Sequence, residues 1–269
     1  MQKTILITGS TDGIGLETAR MLLAQGHHVL LHGRSSAKLD ATKQSLLAEV
    51  GPDCHLSSYV ADLSRIECVD ALADAVQADH QTLDVLINNA GVFRAPNAMT
   101  DDGLDIRFAV NTIAPYRLTQ RLLPILGANS RVINLSSAAQ SPVNLDALAG
   151  NTKLAEDFAA YAQSKLGITM WSRALAKDPG MPVIIAVNPG SMLGSKMVQD
   201  NFGVPGHDIG IGAKILTDLA LNVGFEAHSG DYYDNDIGQF SSPHPDGLDE
   251  AKNNALVQAV EQVLTQHVS

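Results

Sequence analysis

A doubly wound α/β sandwich built on one parallel sheet is the fold this chain predicts, and two observations carry the prediction. Short runs of β-branched and aliphatic residues recur at 4–8, 29–32, 56–60, 85–88, 132–135 and 183–187. They are nearly continuous in apolar character, as strands covered on both faces are. Between them lie segments with helical spacing of apolar residues, at 16–24, 37–50, 68–78, 104–126 and 158–176. Alternation of this kind places helices on both faces of a parallel sheet, through right-handed crossovers. A short seventh strand is expected near 230–233, and 247–268 reads as a loop followed by a helix. Two polar or glycine-rich stretches, 138–157 and 191–212, break the rhythm. Both follow the C-terminal ends of strands, where open α/β sheets bind ligands.

The 269 residues, 45% hydrophobic, suffice for one sizeable core, so residues 1–269 read as a single domain. The net charge of −11 disfavours a nucleic-acid surface or an anionic membrane as partner. Cys54 and Cys68 form no redox or zinc-like pair. No secretory signal opens the sequence, and no apolar run is long enough to span a bilayer. A reducing, cytoplasmic setting is expected. The sequon at Asn134 falls inside a predicted strand and is not read as a glycosylation site. Asp234-Asn235-Asp236 has the start of a calcium loop but lacks its glycine and distal glutamate. It is expected to be a solvated turn. The nine histidines show no ligand spacing, so no metal site is expected.

Strand one runs straight into Gly9, Ser10, Thr11, Asp12, Gly13, Ile14 and Gly15, and then into a helix. The glycines permit a tight turn and close backbone approach to a pyrophosphate, over a helix N-terminus that favours an anion. Asp12 is the one charge in this turn that does not help a phosphate. Strand two ends at Gly33-Arg34-Ser35. An acidic residue there would grip the ribose hydroxyls of NAD. A small residue and an arginine suit a 2′-phosphate instead, favouring NADP(H) with NAD(H) as the weaker option.

Tyr161-Ala-Gln-Ser-Lys165 lies in a predicted helix, so the phenol and the ammonium share a face one turn apart. A cation within about 4–6 Å favours phenolate, and the tyrosine is expected to titrate below its ordinary value. No Gly-x-Ser-x-Gly elbow is present, which disfavours a serine hydrolase.

These pieces together resemble the short-chain dehydrogenase/reductase family, in its compact single-domain branch. The matching residues run in the family's order: the glycine turn, Asp62-Leu63, Asn88-Asn89-Ala90-Gly91, Asn111, Ser136-Ser137, Tyr161-x-x-x-Lys165 and Asn188-Pro189-Gly190. The resemblance implies a Rossmann-type sheet of about seven strands. It implies that Asp62 and Leu63 bracket the adenine, that Asn89, Ala90 and Gly91 line the cofactor and brace the sheet, and that Pro189, Gly190 and Ser191 lie near the nicotinamide. Asn111, Ser137, Tyr161 and Lys165 would be the catalytic tetrad, with Tyr161 and Lys165 also touching the cofactor. Ser136 would serve local backbone. The implied reaction is hydride exchange between a nicotinamide and a carbonyl or alcohol, with Tyr161 as general acid and base.

Two departures stand out. Ser137 and Tyr161 are 24 positions apart, a wide gap that resembles retinol-dehydrogenase-like members. The cofactor-binding threonine common after Pro-Gly is absent from Ser191-Met192-Leu193-Gly194-Ser195. A mouth of Phe93, Leu145, Met192, Leu193, Met197, Val198 and Phe202 suggests a lipophilic small molecule. A homo-oligomer is compatible with the family, and a non-catalytic NADP-binding regulator on the same fold is the alternative reading.

Overall fold

Seven strands run parallel: β1 (Thr4–Ile7), β2 (His28–Gly33), β3 (Leu56–Val60), β4 (Leu83–Asn88), β5 (Leu126–Leu135), β6 (Val183–Asn188) and β7 (Tyr232–Asp234). An eighth, β8 (Gln239–Ser241), returns antiparallel along β7. In this computed structural model residues 1–267 are described, Asn201 and Phe202 by backbone alone. The strand order is β3-β2-β1-β4-β5-β6-β7-β8. The chain winds outward from β1 to β3 and then crosses to β4 on the other side of β1. That reversal opens a crevice at the C-terminal ends of β1 and β4, the place where such sheets take ligands.

Strand residues alternate between two cores. Leu6, Leu30, Leu86, Val132 and Ile184 face one layer, and Ile5, Ile7, Val29, Val85, Ile133 and Ile185 face the other. The first layer is closed by α3 (Ile66–Asp79), α5 (Ala114–Leu122), α7 (Asp157–Leu175) and α10 (Glu250–His267). The second is closed by α1 (Gly13–Ala24), α2 (Ser36–Val50) and α9 (Ile209–Leu221). Because both faces are covered, β6 is buried along its whole length, which explains its unbroken apolar run.

The structure differs from expectation in three places. The edge strand β8 is only three residues long, too short to show any hydrophobic period. The helix expected over 104–126 is divided into α4 (Ile106–Phe108), a π turn (Ala109–Ile113) and α5, and Leu126 opens β5 instead. Pro115 sits in the first turn of α5 and has no N–H for the Asn111 carbonyl one turn back. The backbone widens there, with Ala114 N–H reaching the Ala109 carbonyl. Finally, the stretch 191–212 holds a short helix, α8 (Lys196–Phe202), and the start of α9, whose Gly210 and Gly212 disguised it as loop. The 138–157 stretch carries only one short helix, α6 (Leu145–Leu148), N-capped by the Asn144 side chain.

Candidate active site

The glycine turn lies flat against the end of β4. Gly9 has φ +66°, and a Cβ there would stand 2.9 Å from Ala90 Cα. A Cβ on Gly15 would stand 2.5 Å from the Gly9 carbonyl oxygen and 2.4 Å from Asn89 Nδ2. No side chain fits at either position. Asn89 pins the turn by donating from Nδ2 to the Thr8 and Gly9 carbonyls, at 2.9 and 3.0 Å. Asp12 N-caps α1 by accepting from Gly13 N–H at 2.7 Å. Ser10 is fully buried, and its hydroxyl is committed to β2, accepting from His32 N–H at 2.9 Å. Thr11 packs its methyl over Gly33, where a Cβ would approach within 2.7 Å, and Ile14 faces Gly212.

Behind the turn stands His32, which sequence reasoning passed over. Gly9 N–H donates to its Nδ1 at 3.1 Å, and Nε2 lies 3.1 Å from the Ala61 carbonyl. Burial pushes its pKa down to about 4, the Ala61 contact and Asp62 opposing only in part. The ring is therefore neutral, with its proton on Nε2, and it ties the turn to the end of β3. Just beyond, Asp62 accepts from Ser64 N–H and hydroxyl, and Leu63 is buried. Arg34 is exposed and makes no side-chain hydrogen bond or ion pair among the described residues, and Ser35 N-caps α2 through Lys38 N–H.

On the other side of the crevice α7 is buried nearly all round, as its evenly apolar sequence requires. Gly167 lets it approach the π turn so closely that a Cβ would meet Thr112 Cγ2 at 2.9 Å. The Tyr161 phenol faces Ser137, whose side chain favours the phenolate. Lys165 Nζ stands 5.7 Å from the Tyr161 ring centre and donates to the Leu135 carbonyl at 2.7 Å. Asn111 accepts from Val92 N–H at 2.8 Å and donates to the Val92 carbonyl and Ser164 hydroxyl, each at 2.9 Å. It thereby braces the segment after β4 against α7. Gly91 keeps the space beside Lys165 open, since a Cβ would stand 3.4 Å from Nζ. Ser136 is buried, bonded to the Lys165 carbonyl and Thr169, while Ser137 opens to the crevice.

One expectation is corrected here. Tyr161 titrates above its ordinary value, not below it. Burial penalises the phenolate, and the neighbouring Ser137 offsets only part of that penalty. Burial also pushes Lys165 down to about 8. The ammonium is aimed at a backbone carbonyl and stands off from the phenol, so desolvation outweighs charge attraction.

At the end of β6, Pro189 is buried and Gly190 has φ +128°. Ser191 is exposed, and both its N–H and its hydroxyl donate to Asp236, at 2.7 and 2.5 Å. The turn expected to be merely solvated is thus engaged. Asn188 donates to Asp234 and Asp236, and Asn235 donates to the Pro189 carbonyl. The segment beyond folds back on itself, with His207 N–H bonded to the Met192 carbonyl and Gly194 N–H to the His207 carbonyl, both at 2.7 Å. Leu193 is buried against Gly190 and Gly212, so it packs the loop rather than the mouth. Met192 is exposed, and Met197 and Val198 are half-buried; the Phe202 side chain lies outside the described residues.

Phe93 is buried against Tyr161 at a ring separation of 4.9 Å, and Phe158, 6.3 Å from Phe93, is 55% exposed. The start of α7 is anchored by Arg107, buried and paired with Asp105 and Asp157. Neither Phe158 nor Arg107 carried a local signal, because each depends on a partner distant in sequence. Asn134 is fully buried, with its amide on Ser172 and its carbonyl on Asn88. Among the described residues no helix is long and apolar enough to cross a membrane, and no group of histidine, cysteine or acidic side chains gathers as metal ligands.

Comparison with known proteins agrees with this layout. Human retinol dehydrogenase 13 is 34% identical over 194 residues, covering 70% of this chain. The match spans 58% of that relative's own length. An uncharacterized protein from Mycobacterium paratuberculosis superimposes with a TM-score of 0.79 at 26% identity, over 98% of this chain and 94% of its own. A metagenomic short-chain oxidoreductase, solved in complex with NADP, does so with a TM-score of 0.60 at 30% identity, over 81% of this chain and 90% of its own. The family model for short chain dehydrogenases matches residues 3–203. With that match laid over a reversed-order parallel sheet and its glycine turn, the chain belongs to the short-chain dehydrogenase/reductase family of oxidoreductases.

Proposed function

We propose that this protein is an NADP(H)-dependent oxidoreductase that interconverts a carbonyl and an alcohol, with Tyr161 as general acid and base. The observation that carries the reading is the meeting of three side chains at the crevice. The Tyr161 phenol faces Ser137, and the Lys165 ammonium stands behind the ring, 5.7 Å from its centre.

The residues present fit a dinucleotide. The turn has no room for side chains at Gly9 and Gly15, the N-terminus of α1 lies beside it, and Gly91 puts no side chain against Lys165. Gly9, Thr11, Gly13, Ile14 and Gly15 would hold the pyrophosphate, and Asp62 and Leu63 the adenine. Ala90, Gly91, Tyr161 and Lys165 would hold the ribose, and Pro189, Gly190 and Ser191 the nicotinamide end. The exposed, unpaired Arg34 beside the N-cap Ser35 supports a 2′-phosphate, hence NADP(H) over NAD(H). The NADP-bound relative supports the same choice.

A bound nicotinamide supplies or takes up the hydride. Tyr161, protonated at neutral pH, gives its proton to the carbonyl oxygen during reduction and takes one from the alcohol during oxidation. Ser137 donates to the same oxygen as negative charge develops there. Lys165 stabilises the phenolate left behind, and Asn111 would hold a water that passes the proton to solvent. Phe158 and Met192, both exposed at the mouth, support a lipophilic substrate, as does the similarity to a retinol dehydrogenase. The stretches 138–157 and 191–212 would act as substrate loops of one domain. Two unpaired cysteines support a reducing compartment such as the cytoplasm.

The test is Tyr161→Phe, assayed by NADPH consumption against a panel of lipophilic aldehydes and ketones. Turnover should fall at least about 100-fold, while NADPH binding, followed by fluorescence, stays nearly unchanged. A variant as active as the parent chain would remove Tyr161 from the chemistry.

A further inference from the structure

The turn after β7 is the one acidic motif of the sequence that the proposed chemistry leaves unused, and its geometry is not that of a surface ornament. Asp234, Asn235 and Asp236 together take up nearly every polar group on the strand end opposite them. Asn188, only 2% exposed, donates its amide hydrogens to Asp234 and Asp236 at 2.9 Å each, and its carbonyl oxygen accepts from Gly190 N–H at 3.3 Å. Asn235 N–H donates to the Asn188 carbonyl at 3.1 Å, and Asn235 Nδ2 to the Pro189 carbonyl at 2.9 Å. Asp236 accepts both donors of Ser191. The same strand reaches the catalytic side as well, since the Tyr232 hydroxyl donates to the Ser137 carbonyl at 3.1 Å. Beyond Ser191 the chain enters Met192, a non-glycine residue at φ +54°, and then the folded-back arm closed by His207. Without an anchor at Ser191, the course of this segment would rest on Leu193 packed against Gly212 and on the His207 pairing further along.

We propose that Asp236 is a positioning residue for the nicotinamide half of the cofactor site. Its carboxylate fixes the Ser191 backbone, and thereby the path of 189–194, across the end of β6. Asn235 fixes the Pro189 carbonyl in the same way. The carboxylate stays ionised in this position. Burial works against its charge, but the Ser191 and Asn188 donors, with His207 nearby, more than offset that and hold the carboxyl below its ordinary value. A hydrogen bond to an ionised acceptor is about twice as strong as a neutral one, so a single carboxylate can hold an exposed turn. The proposal rests on the cofactor reading above.

The experiment compares two ligands on the parent chain and on D236N. One is NADPH. The other is 2′-phospho-ADP-ribose, which is the same cofactor without its nicotinamide ring. The carboxamide of D236N cannot accept from the Ser191 hydroxyl and the Asn188 amide as the carboxylate does. The NADPH Kd should rise roughly tenfold, as expected for loss of one charge-assisted hydrogen bond, and the Kd for the ring-less analogue should change by less than about twofold. Equal weakening of both ligands would make Asp236 a general support of the fold and overturn the proposal, as would an unchanged NADPH Kd. Should D236N fail to accumulate as folded protein, Ser191→Ala removes only the hydroxyl arm. It should weaken NADPH alone, by roughly threefold. A parent chain that binds neither ligand refutes the cofactor reading and the positioning role with it. Binding of both by the parent with no selective loss in the variants refutes only the positioning role.

Discussion

The two ends of the crevice are built by different physics. At the phosphate end the turn is held from beneath by neutral groups: the buried Ser10 hydroxyl on β2, the buried His32 ring between Gly9 and Ala61, and the half-buried Asn89 amide on the end of β1. At the nicotinamide end the strand terminus is held from the side by a charged, exposed residue on a turn 45 positions later in sequence. A buried neutral contact is costly to break, because it leaves polar groups without water. A carboxylate at the surface is solvated again when its partners are lost, so losing it costs the fold less. The contrast teaches that one half of the site is braced from the interior and the other from the surface.

The sharpest way to break this comparison is to remove the interior brace. His32→Leu should lower unfolding stability by about 3 kcal/mol, since Gly9 N–H and the Ala61 carbonyl would both lose their partner in the interior. Urea denaturation measures it, and a loss below about 1 kcal/mol would make the ring dispensable. Gly15→Ala, whose Cβ would stand 2.5 Å from a backbone oxygen, should cost about 2 kcal/mol and weaken NADPH binding. Retention of both parent values would mean that the turn is looser than its geometry.

pH separates the ends without mutation. His32 titrates at about 4 in the folded chain against 6.5 when unfolded, so the unfolded chain binds more protons between these values. Stability that is complete above pH 6.5 should therefore fall as pH drops toward 4, by about 2 kcal/mol at pH 5. In His32→Leu that part of the pH dependence should vanish. The nicotinamide end should behave otherwise: D236N should cost the fold only about 1 kcal/mol, and a loss as large as that of His32→Leu would erase the distinction. The smallest effect on the fold is expected for Arg34→Ala. Stability should not change, while NADPH should weaken by roughly tenfold and NADH hardly at all, as loss of one exposed phosphate contact implies. Equal weakening of both cofactors would remove Arg34 from 2′-phosphate recognition.

Much of the architecture was legible in the chain itself. Apolar runs marked the first six strands, most plainly β6, which is covered on both faces, and glycines marked the turn because backbone passes close to backbone at Gly9 and Gly15 and φ is positive at Gly13. The local spacing of Tyr161 and Lys165 placed them on one helix, while the choice of Ser137 over Ser136 rested on the family resemblance alone. Strand β8 and helix α9 were not legible, the first for lack of length and the second because Gly210 and Gly212 imitate a loop.

Only the folded chain decided the electrostatics and the long-range partners. Sequence spacing brings an ammonium within a turn of a phenol, but whether attraction or desolvation sets the phenol's proton depends on how deeply both are buried and where Nζ points. Here burial wins. Asp236 meets Ser191, and Arg107 meets Asp157, across gaps that no local pattern encodes. Propensity and hydrophobic period act over a few neighbouring residues, whereas a hydrogen bond or an ion pair depends on distances that exist only once the sheet has been assembled.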